Sequence, residues 1–522
     1  MANLQQSKKI KNTYNMRNSL VNYYLLLMFS VFELYLTYQY ANARKDKFHA
    51  FILLTSLLAI GVLVVSIEYF LEGKANEKHK VVEKVPVFSL SATDYAFCAF
   101  LLFSVITTLV SNYRHDSFMG SAGRDNGTFI HILYFLMYFI VSRFYVYKEY
   151  VLCAFMVFGC IVSGLAVLNF FYIDPFGLYK GYGEKVIIDF LTTIGNKNLA
   201  SSYMCIFLST ALALFIWSER EILKALSLIG TIFGYLGLLV CDSSSGYFGL
   251  AALLFSLLLY SVKDVLRLRK YITALTVMFT SGLIIRVVSN FVKNKGIADL
   301  GRLLVNSRLI FIIIAVLLIA AIWIHLIKPD NNKWPDKTLS YIIIAIGAVL
   351  VCVFFALMYK YSVLDTKSDI GSLRTILRFD DRWGTHRGFF FIKGIEEFSQ
   401  FDFTHKLFGS GCDTFYYVFE PHFEELYLRF GNTETNCAHS EYINYLVTQG
   451  ILGLLSYLAI IFVTIKRAIK ASENSGLAIV FLMPVITYSA QAVINITQPI
   501  TTPFLFIFIA LSEAVSREQT KE

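Results

Sequence analysis

Fourteen apolar stretches, each about 20 residues long, recur along this chain. They fall near 20–39, 48–70, 93–112, 128–147, 150–172, 198–217, 222–240, 246–262, 271–290, 307–327, 338–360, 441–464, 475–495 and 498–515. A membrane-crossing helix needs about 20 mostly apolar residues. Of the 522 residues, 56% are hydrophobic and 16% are charged. A soluble domain carries about 25% charged residues, and a soluble core of this size cannot hide so much apolar surface. Lipid is therefore the solvent. Inside lipid every backbone polar group must be satisfied within the segment, which selects helices. The expected fold is an all-α integral membrane protein with about 12–14 transmembrane helices. The least secure divisions are the split at Tyr147–Tyr150 and the final pair, interrupted by Gln498-Pro499.

Charge sets the orientation. With the N-terminus inside, the inner connections are 71–92, 148–149, 218–221, 263–270, 328–337, 466–470 and the C-terminal tail. They include the basic clusters Lys263–Lys270 and Lys466-Arg467 with Lys470, as the positive-inside rule requires. The net charge of +9 is then a property of inner loops. No basic stripe marks a nucleic-acid partner. Arg44-Lys45-Asp46-Lys47 falls outside and conflicts locally, so the first hairpin is the weakest part of the assignment. No cleavable signal peptide is expected, because no small-residue cleavage site follows the first apolar run. The eight cysteines show neither metal spacing nor CxxC. Six lie in or beside apolar runs. Cys412 and Cys437 flank the middle of a polar segment and either pair as a disulfide or stay free.

That polar segment, 361–439, divides the chain. Residues 1–360 hold about eleven helices and 440–522 about three, with 361–439 as one large outer loop. Loops this long are functional or disordered, and this one is too aromatic for disorder. Apolar residues at 389, 390, 391, 392, 395 and 398 suit a short helix over Arg387–Phe398. Gly409-Ser410-Gly411 breaks it, and Phe423–Phe430 suits a second. The loop carries eight Lys/Arg against twelve Asp/Glu, so any anion site in it must be local.

His439 stands where the loop meets an apolar helix. An ionisable residue at membrane depth is a functional candidate, and a histidine can take a proton from a sugar hydroxyl. The plainer alternative is a solvated histidine at a helix start. Glu441 and Tyr442 are near enough to orient it, or Ser440 and Glu441 only cap the helix. Arg374, Arg378 and Arg382 recur every four residues and Arg387 follows. Their donor forks suit phosphate oxygens, unless Asp369, Asp380 and Asp381 claim them. Asn196 and Asn198, in Gly195-Asn196-Lys197-Asn198, open a helix whose N-terminus favours an anion. Asp242-Ser243-Ser244-Ser245-Gly246 forms a tight outer turn, either contacting ligand or packing helices closely. Arg302 and Arg308 either reach a lipid phosphate or anchor at headgroups. There is no P-loop, HExxH or acidic metal cluster, so no metal or cofactor is called for. Carboxylates are rare inside the apolar runs, which argues against a proton-coupled transporter.

Taken in order, Gly195-Asn196-Lys197-Asn198, the serine-rich turn at 243–246, Arg387, Gly409-Ser410-Gly411, then His439-x-x-Tyr442 leading into Gln449-Gly450, resemble the O-antigen ligase and polymerase superfamily of bacterial membrane glycosyltransferases. The resemblance covers the C-terminal half. It implies an inverting, metal-independent transfer from a polyprenyl-pyrophosphate-linked oligosaccharide to an acceptor glycan, at the outer face of the bacterial cytoplasmic membrane. In that setting His439 is the general base or acceptor-orienting group, and Arg387 stabilises the departing pyrophosphate. Arg382 is a further phosphate contact, with Arg302 kept beside it as a pyrophosphate-binding candidate. Glu441, Tyr442, Asn196 and Asn198 are supporting residues. Membrane lipid lines the donor's path, and a chain-length regulator or flippase is the kind of protein partner implied. Two departures stand out. The family often has Ser-Arg where this chain has Ser244-Ser245, and a tryptophan four residues after the loop arginine where this chain has Phe391. The leading expectation is a polysaccharide polymerase. The alternatives are a ligase delivering the glycan to a lipid, protein or wall acceptor, and a flippase or transporter of lipid-linked sugars.

Overall fold

The computed structural model describes residues 2–74, 89–121, 123–327 and 334–519. Fourteen long helices follow the apolar stretches: α1 (Ala2–Met28), α2 (Gln39–Lys74), α3 (Ala92–Val110), α4 (Thr128–Phe144), α5 (Glu149–Phe170), α6 (Lys197–Trp217), α7 (Glu221–Cys241), α8 (Ser244–Ser261), α9 (Val265–Ser289), α10 (Leu309–Leu326), α11 (Asp336–Tyr359), α12 (Glu441–Ala471), α13 (Gly476–Gln491) and α14 (Thr502–Gln519). Among the described residues, eleven helices are long and apolar enough to cross a membrane. The protein is a multi-pass, all-α membrane protein. Three of the fourteen fall outside the eleven. α1 begins in the polar, basic N-terminus. α4 has only 17 residues. α14 carries Glu513, Arg517 and Glu518 near its end.

α4 and α5 are separate, broken at Tyr145–Lys148, and α13 and α14 are divided by residues 492–501. The first hairpin differs from expectation. The first helix stops at Met28, a short helix covers Val31–Leu34, and α2 starts at Gln39. The basic cluster belongs to α2, where its charges have partners. The buried Lys47 amine donates to the Phe32 and Glu33 carbonyls left over at the break. Asp46 accepts from the Thr37 amide at 2.7 Å, and Arg44 pairs with Asp125 at 2.9 Å. Local neutralisation removes the conflict with the charge rule. The connections expected at 71–92 and 328–337 lie largely outside the described residues.

α6 is the centre of the bundle and α11 its rim: the apolar span of α6 is 94% buried, that of α11 not at all. At the end opposite the loop, buried charges are paired, as a low-dielectric site demands. Arg143 meets Asp94 at 2.9 Å and Arg467 meets Glu513 at 2.8 Å. Arg517 contacts both acids. Lys270 caps the last turn of α6 through the Ile216 carbonyl, a favourable place for a cation.

Candidate active site

The segment 361–439 is a folded cap. It holds helices over Trp383–Gln400 and Phe423–Phe430, where two were expected, and shorter ones at Arg374–Leu377, Phe403–Phe408 and Phe415–Phe419. Phe389, Phe390, Phe391, Phe415, Phe419 and Leu426 form its own apolar core.

Two clamps fix the cap to the bundle. In the first, α12 is broken at Gly450, whose φ is +69°. The break frees carbonyls one turn earlier. Ser410 N–H donates to the Val447 carbonyl at 3.2 Å, and Gly411 N–H to that of Thr448 at 2.9 Å. Gly409-Ser410-Gly411 and Gln449-Gly450, forty residues apart in the chain, thus form a single junction. A Cβ on Gly450 would sit 2.4 Å from the Leu407 backbone, and one on Gly409 2.3 Å from that of Thr448. Both positions require glycine. Gly450→Ala is expected to destabilise the protein by about 1–3 kcal/mol, as overpacking does. Thermal unfolding in detergent and faster proteolysis of the cap would show it. In the second clamp, the buried Asp413 carboxylate accepts from the Ser121 and Asn126 amides at 3.0 and 3.1 Å and faces Arg124 at 3.3 Å. Arg124 also reaches the Thr497 carbonyl. The connections α3–α4 and α13–α14 therefore meet beneath the cap.

Under the cap lies a cavity of about 290 Å³. Arg387 and His439 both line it, with Thr385 and Phe390 from the cap, Lys197 and Asn198 at the start of α6, Asp242, Ser243, Ser244 and Tyr247 at the α7–α8 turn, and Ala298 and Leu300. The His439 ring stacks on Phe390 with centroids 5.1 Å apart. The half-buried Arg387 donates to the Gly384 carbonyl at 3.2 Å. Burial holds its pKa below the ordinary value, but an arginine stays charged at neutral pH. Among the described residues no carboxylate pairs with it. The acid in the wall, Asp242, is engaged elsewhere: its carboxylate accepts from the Ala298 amide at 2.7 Å and the Tyr247 hydroxyl at 3.2 Å. Lys197 pairs with Asp189 at 2.8 Å. The first turn of α6 adds its positive dipole end, its Lys197 and Asn198 amides being taken by the Asp189 carbonyl and the Asn196 side chain. The cavity is thus a cationic pocket whose one un-neutralised guanidinium faces a histidine.

Three wall residues, Asp242, Thr385 and His439, have left-handed backbones with φ of +43°, +61° and +53°. Each costs about 1–2 kcal/mol for a non-glycine residue. Such strain persists where the surroundings over-determine it, and it concentrates at functional sites.

The structure does not gather every expected residue here. Asn198 lines the cavity and accepts from Ser243 Oγ at 2.8 Å, while Asn196 caps α6 through the Asn198 amide at 2.9 Å. Arg382 and Arg302 are exposed and stand outside the cavity wall. Glu441 is buried and accepts from Tyr457, and Tyr442 donates to the Ser489 carbonyl at 2.7 Å. Both face the bundle interior, so the position of His439 comes from Phe390, from hydrogen bonding with Cys437 and from its own backbone. Arg374 pairs with Asp380 at 3.0 Å, and Arg378 bonds the Tyr361 and Ser368 carbonyls, so these two hold the cap together. Cys412 and Cys437 are both free and buried. Phe391, at the position where the resemblance leads one to expect tryptophan, packs against Trp383 at 5.7 Å. Sequence reasoning gave no individual weight to Lys197, Thr385 or Phe390. Only a lysine inside the Gly-Asn-Lys-Asn run was there to be seen.

A membrane-embedded helical bundle with a cationic cavity under a folded cap defines the class of protein. Residues 297–458 match the family model described as O-Antigen ligase. That stretch, under a third of the chain, is similar to an O-antigen ligase domain. No curated protein gives a significant match. The matched stretch supplies six of the twelve cavity residues, from Ala298 to His439; the other six come from α6 and the α7–α8 turn, outside it.

Proposed function

We propose that this protein is a polysaccharide polymerase of the bacterial cytoplasmic membrane, extending glycans on polyprenyl pyrophosphate with its cap facing outward. The observation that carries this reading is the presence of Arg387 and His439 in one cavity, where no described carboxylate pairs with the guanidinium. The donor's diphosphate lies against Arg387, Lys197 and the first turn of α6. The acceptor hydroxyl lies at His439. As the hydroxyl oxygen forms a bond to the anomeric carbon, its proton passes to the imidazole. The bond from that carbon to the diphosphate breaks, and its electron pair leaves on the phosphate oxygen. Attack from the face opposite the leaving group inverts the anomeric centre. The departing charge grows where Arg387 already stands, and preorganised charge of this kind is commonly the largest catalytic contribution. Arg382 and Arg302, on the surface near the cavity, make the first contacts with the incoming diphosphate. The outward orientation is supported by Lys263–Lys270 and Lys466–Lys470, which lie at the end away from the cap.

Reconstitution with a synthetic polyprenyl-pyrophosphate oligosaccharide tests the reading. Gel analysis should show a ladder of product lengths. A single shift would indicate ligation to one acceptor. Lipid-linked sugar crossing the bilayer with no new bond would overturn the assignment of transferase.

A further inference from the structure

A second cavity, of about 460 Å³, adjoins His439. Its walls are Tyr416, Tyr417, Glu434, Thr435, Asn436 and His439. His439 is the residue common to both cavities. The two differ in chemistry. The first has a guanidinium and an ammonium in its wall beside the single carboxylate of Asp242. The second has no lysine or arginine there, but two phenol rings, a carboxylate, an amide and a hydroxyl. An anion gains nothing from such a wall. A saccharide does: ring faces cover its C–H surfaces, and carboxylate and amide oxygens accept from its hydroxyls.

The aromatic wall is held in place. The Tyr417 ring stacks on Tyr113 with centroids 4.0 Å apart and planes 8° from parallel. Its hydroxyl donates to the Asp116 carboxylate, which pushes the phenol pKa up to about 12. Tyr416 stands nearly perpendicular to it, at 89°, and packs on Phe423 at 5.1 Å. The tyrosines come from the cap helix Phe415–Phe419, and Glu434–Asn436 from the chain running into His439. The left-handed backbone of His439 fixes its ring at the junction of the two cavities.

We infer that this second cavity is the acceptor subsite, taking the sugar whose hydroxyl His439 deprotonates, through Tyr416, Tyr417, Glu434 and Asn436. This rests on the transfer reading above. It gives the diphosphate and the attacking hydroxyl separate cavities that meet at His439, which lets the hydroxyl approach the face of the anomeric carbon opposite the diphosphate, as displacement with inversion requires. Tyr416 and Glu434 are then specificity-determining residues that touch the acceptor and not the leaving group.

The test uses the full-length protein in nanodiscs and two variants, Tyr416→Ala and Glu434→Gln, with initial rates measured against each substrate separately. Losing a stacking ring, or a charged hydrogen-bond acceptor, should raise the acceptor KM about 10-fold or more. The donor KM should stay within about 2-fold, and kcat at saturating acceptor should be largely kept. An unchanged acceptor KM in both variants, or a rise in the donor KM instead, overturns the assignment. A direct binding measurement separates this proposal from the transfer reading. The probe is free oligosaccharide released by mild acid from the producing cell's own lipid-linked glycan, followed by saturation-transfer NMR. Binding to the wild type that weakens in both variants supports the subsite even where no bond is made. Equal binding by all three proteins, or none, sinks it.

Discussion

Arg387→Ala is expected to lower glycan transfer by about 10³-fold in kcat/KM, or roughly 4 kcal/mol of transition-state stabilisation. The argument is electrostatic. The transferring step places new negative charge on a diphosphate, and Arg387 is the cation in the cavity wall that no described carboxylate neutralises. Lys197 cannot replace it, because Asp189 holds its amine at 2.8 Å. Arg387→Lys should recover only part of the loss, since a point charge lacks the fork that meets two phosphate oxygens at once. His439 should show a comparable deficit, about 10²- to 10⁴-fold for a lost general base. His439→Asn is the informative change there. Asparagine tolerates the left-handed backbone, so it removes the base while sparing the turn. Rates in proteoliposomes, set beside expression level and thermal unfolding, decide the matter. Arg387→Ala or His439→Asn protein with near-normal product length and rate would exclude these roles.

The largest effect on stability is expected at Asp413. Its carboxylate is buried, accepts two backbone amides of the α3–α4 connection, and faces the buried Arg124. Asp413→Ala leaves both amides and the guanidinium without an anion in a site water does not reach. Breaking one side of a buried pair costs about 3–5 kcal/mol. Asp413→Asn, which keeps the shape and one acceptor oxygen, should fall between. The cap and the α13–α14 connection, where Arg124 reaches Thr497, should loosen together. Lower thermal midpoints in detergent, with faster hydrogen exchange at 409–413 and 495–501, would show it. A variant as stable as the wild type would mean the clamp contributes little.

Much of this architecture was legible in the chain. Hydropathy placed fourteen helices because lipid rewards the same residues in any sequence. It failed at the first hairpin, where Ala2–Met28 is helical through a polar stretch and Lys47 is buried against carbonyls. A window average registers neither. Within the cap, the periodicity at 389–398 and 423–430 found both helices, since an apolar face repeats locally. The site was half legible. Arg387, His439 and Asn198 were singled out and do line one cavity, and the turn at 242–246, noted for either ligand contact or close packing, contributes three residues to its wall. Arg382 was read as a further phosphate contact and Arg302 as a candidate beside it; both are exposed and outside the cavity wall, which spacing alone cannot show. Glu441 and Tyr442 are adjacent to His439 in sequence, yet the helix they begin turns them inward. Tyr416 and Tyr417 gave no signal in a cap already rich in aromatics, and the union of Gly409–Gly411 with the break at Gly450 depends on two segments that only the fold brings together.

The left-handed residues around the cavity have a consequence for how such a chain withstands heat. Asp242, Thr385 and His439 each hold a conformation that glycine would accept without steric strain. Glycine at Thr385 or His439 would relieve that strain at the expense of a fixed pocket wall, and at Asp242 it would also remove the carboxylate that accepts from Ala298 and Tyr247. That the chain keeps bulky side chains there marks the spots where durability has been surrendered to aim.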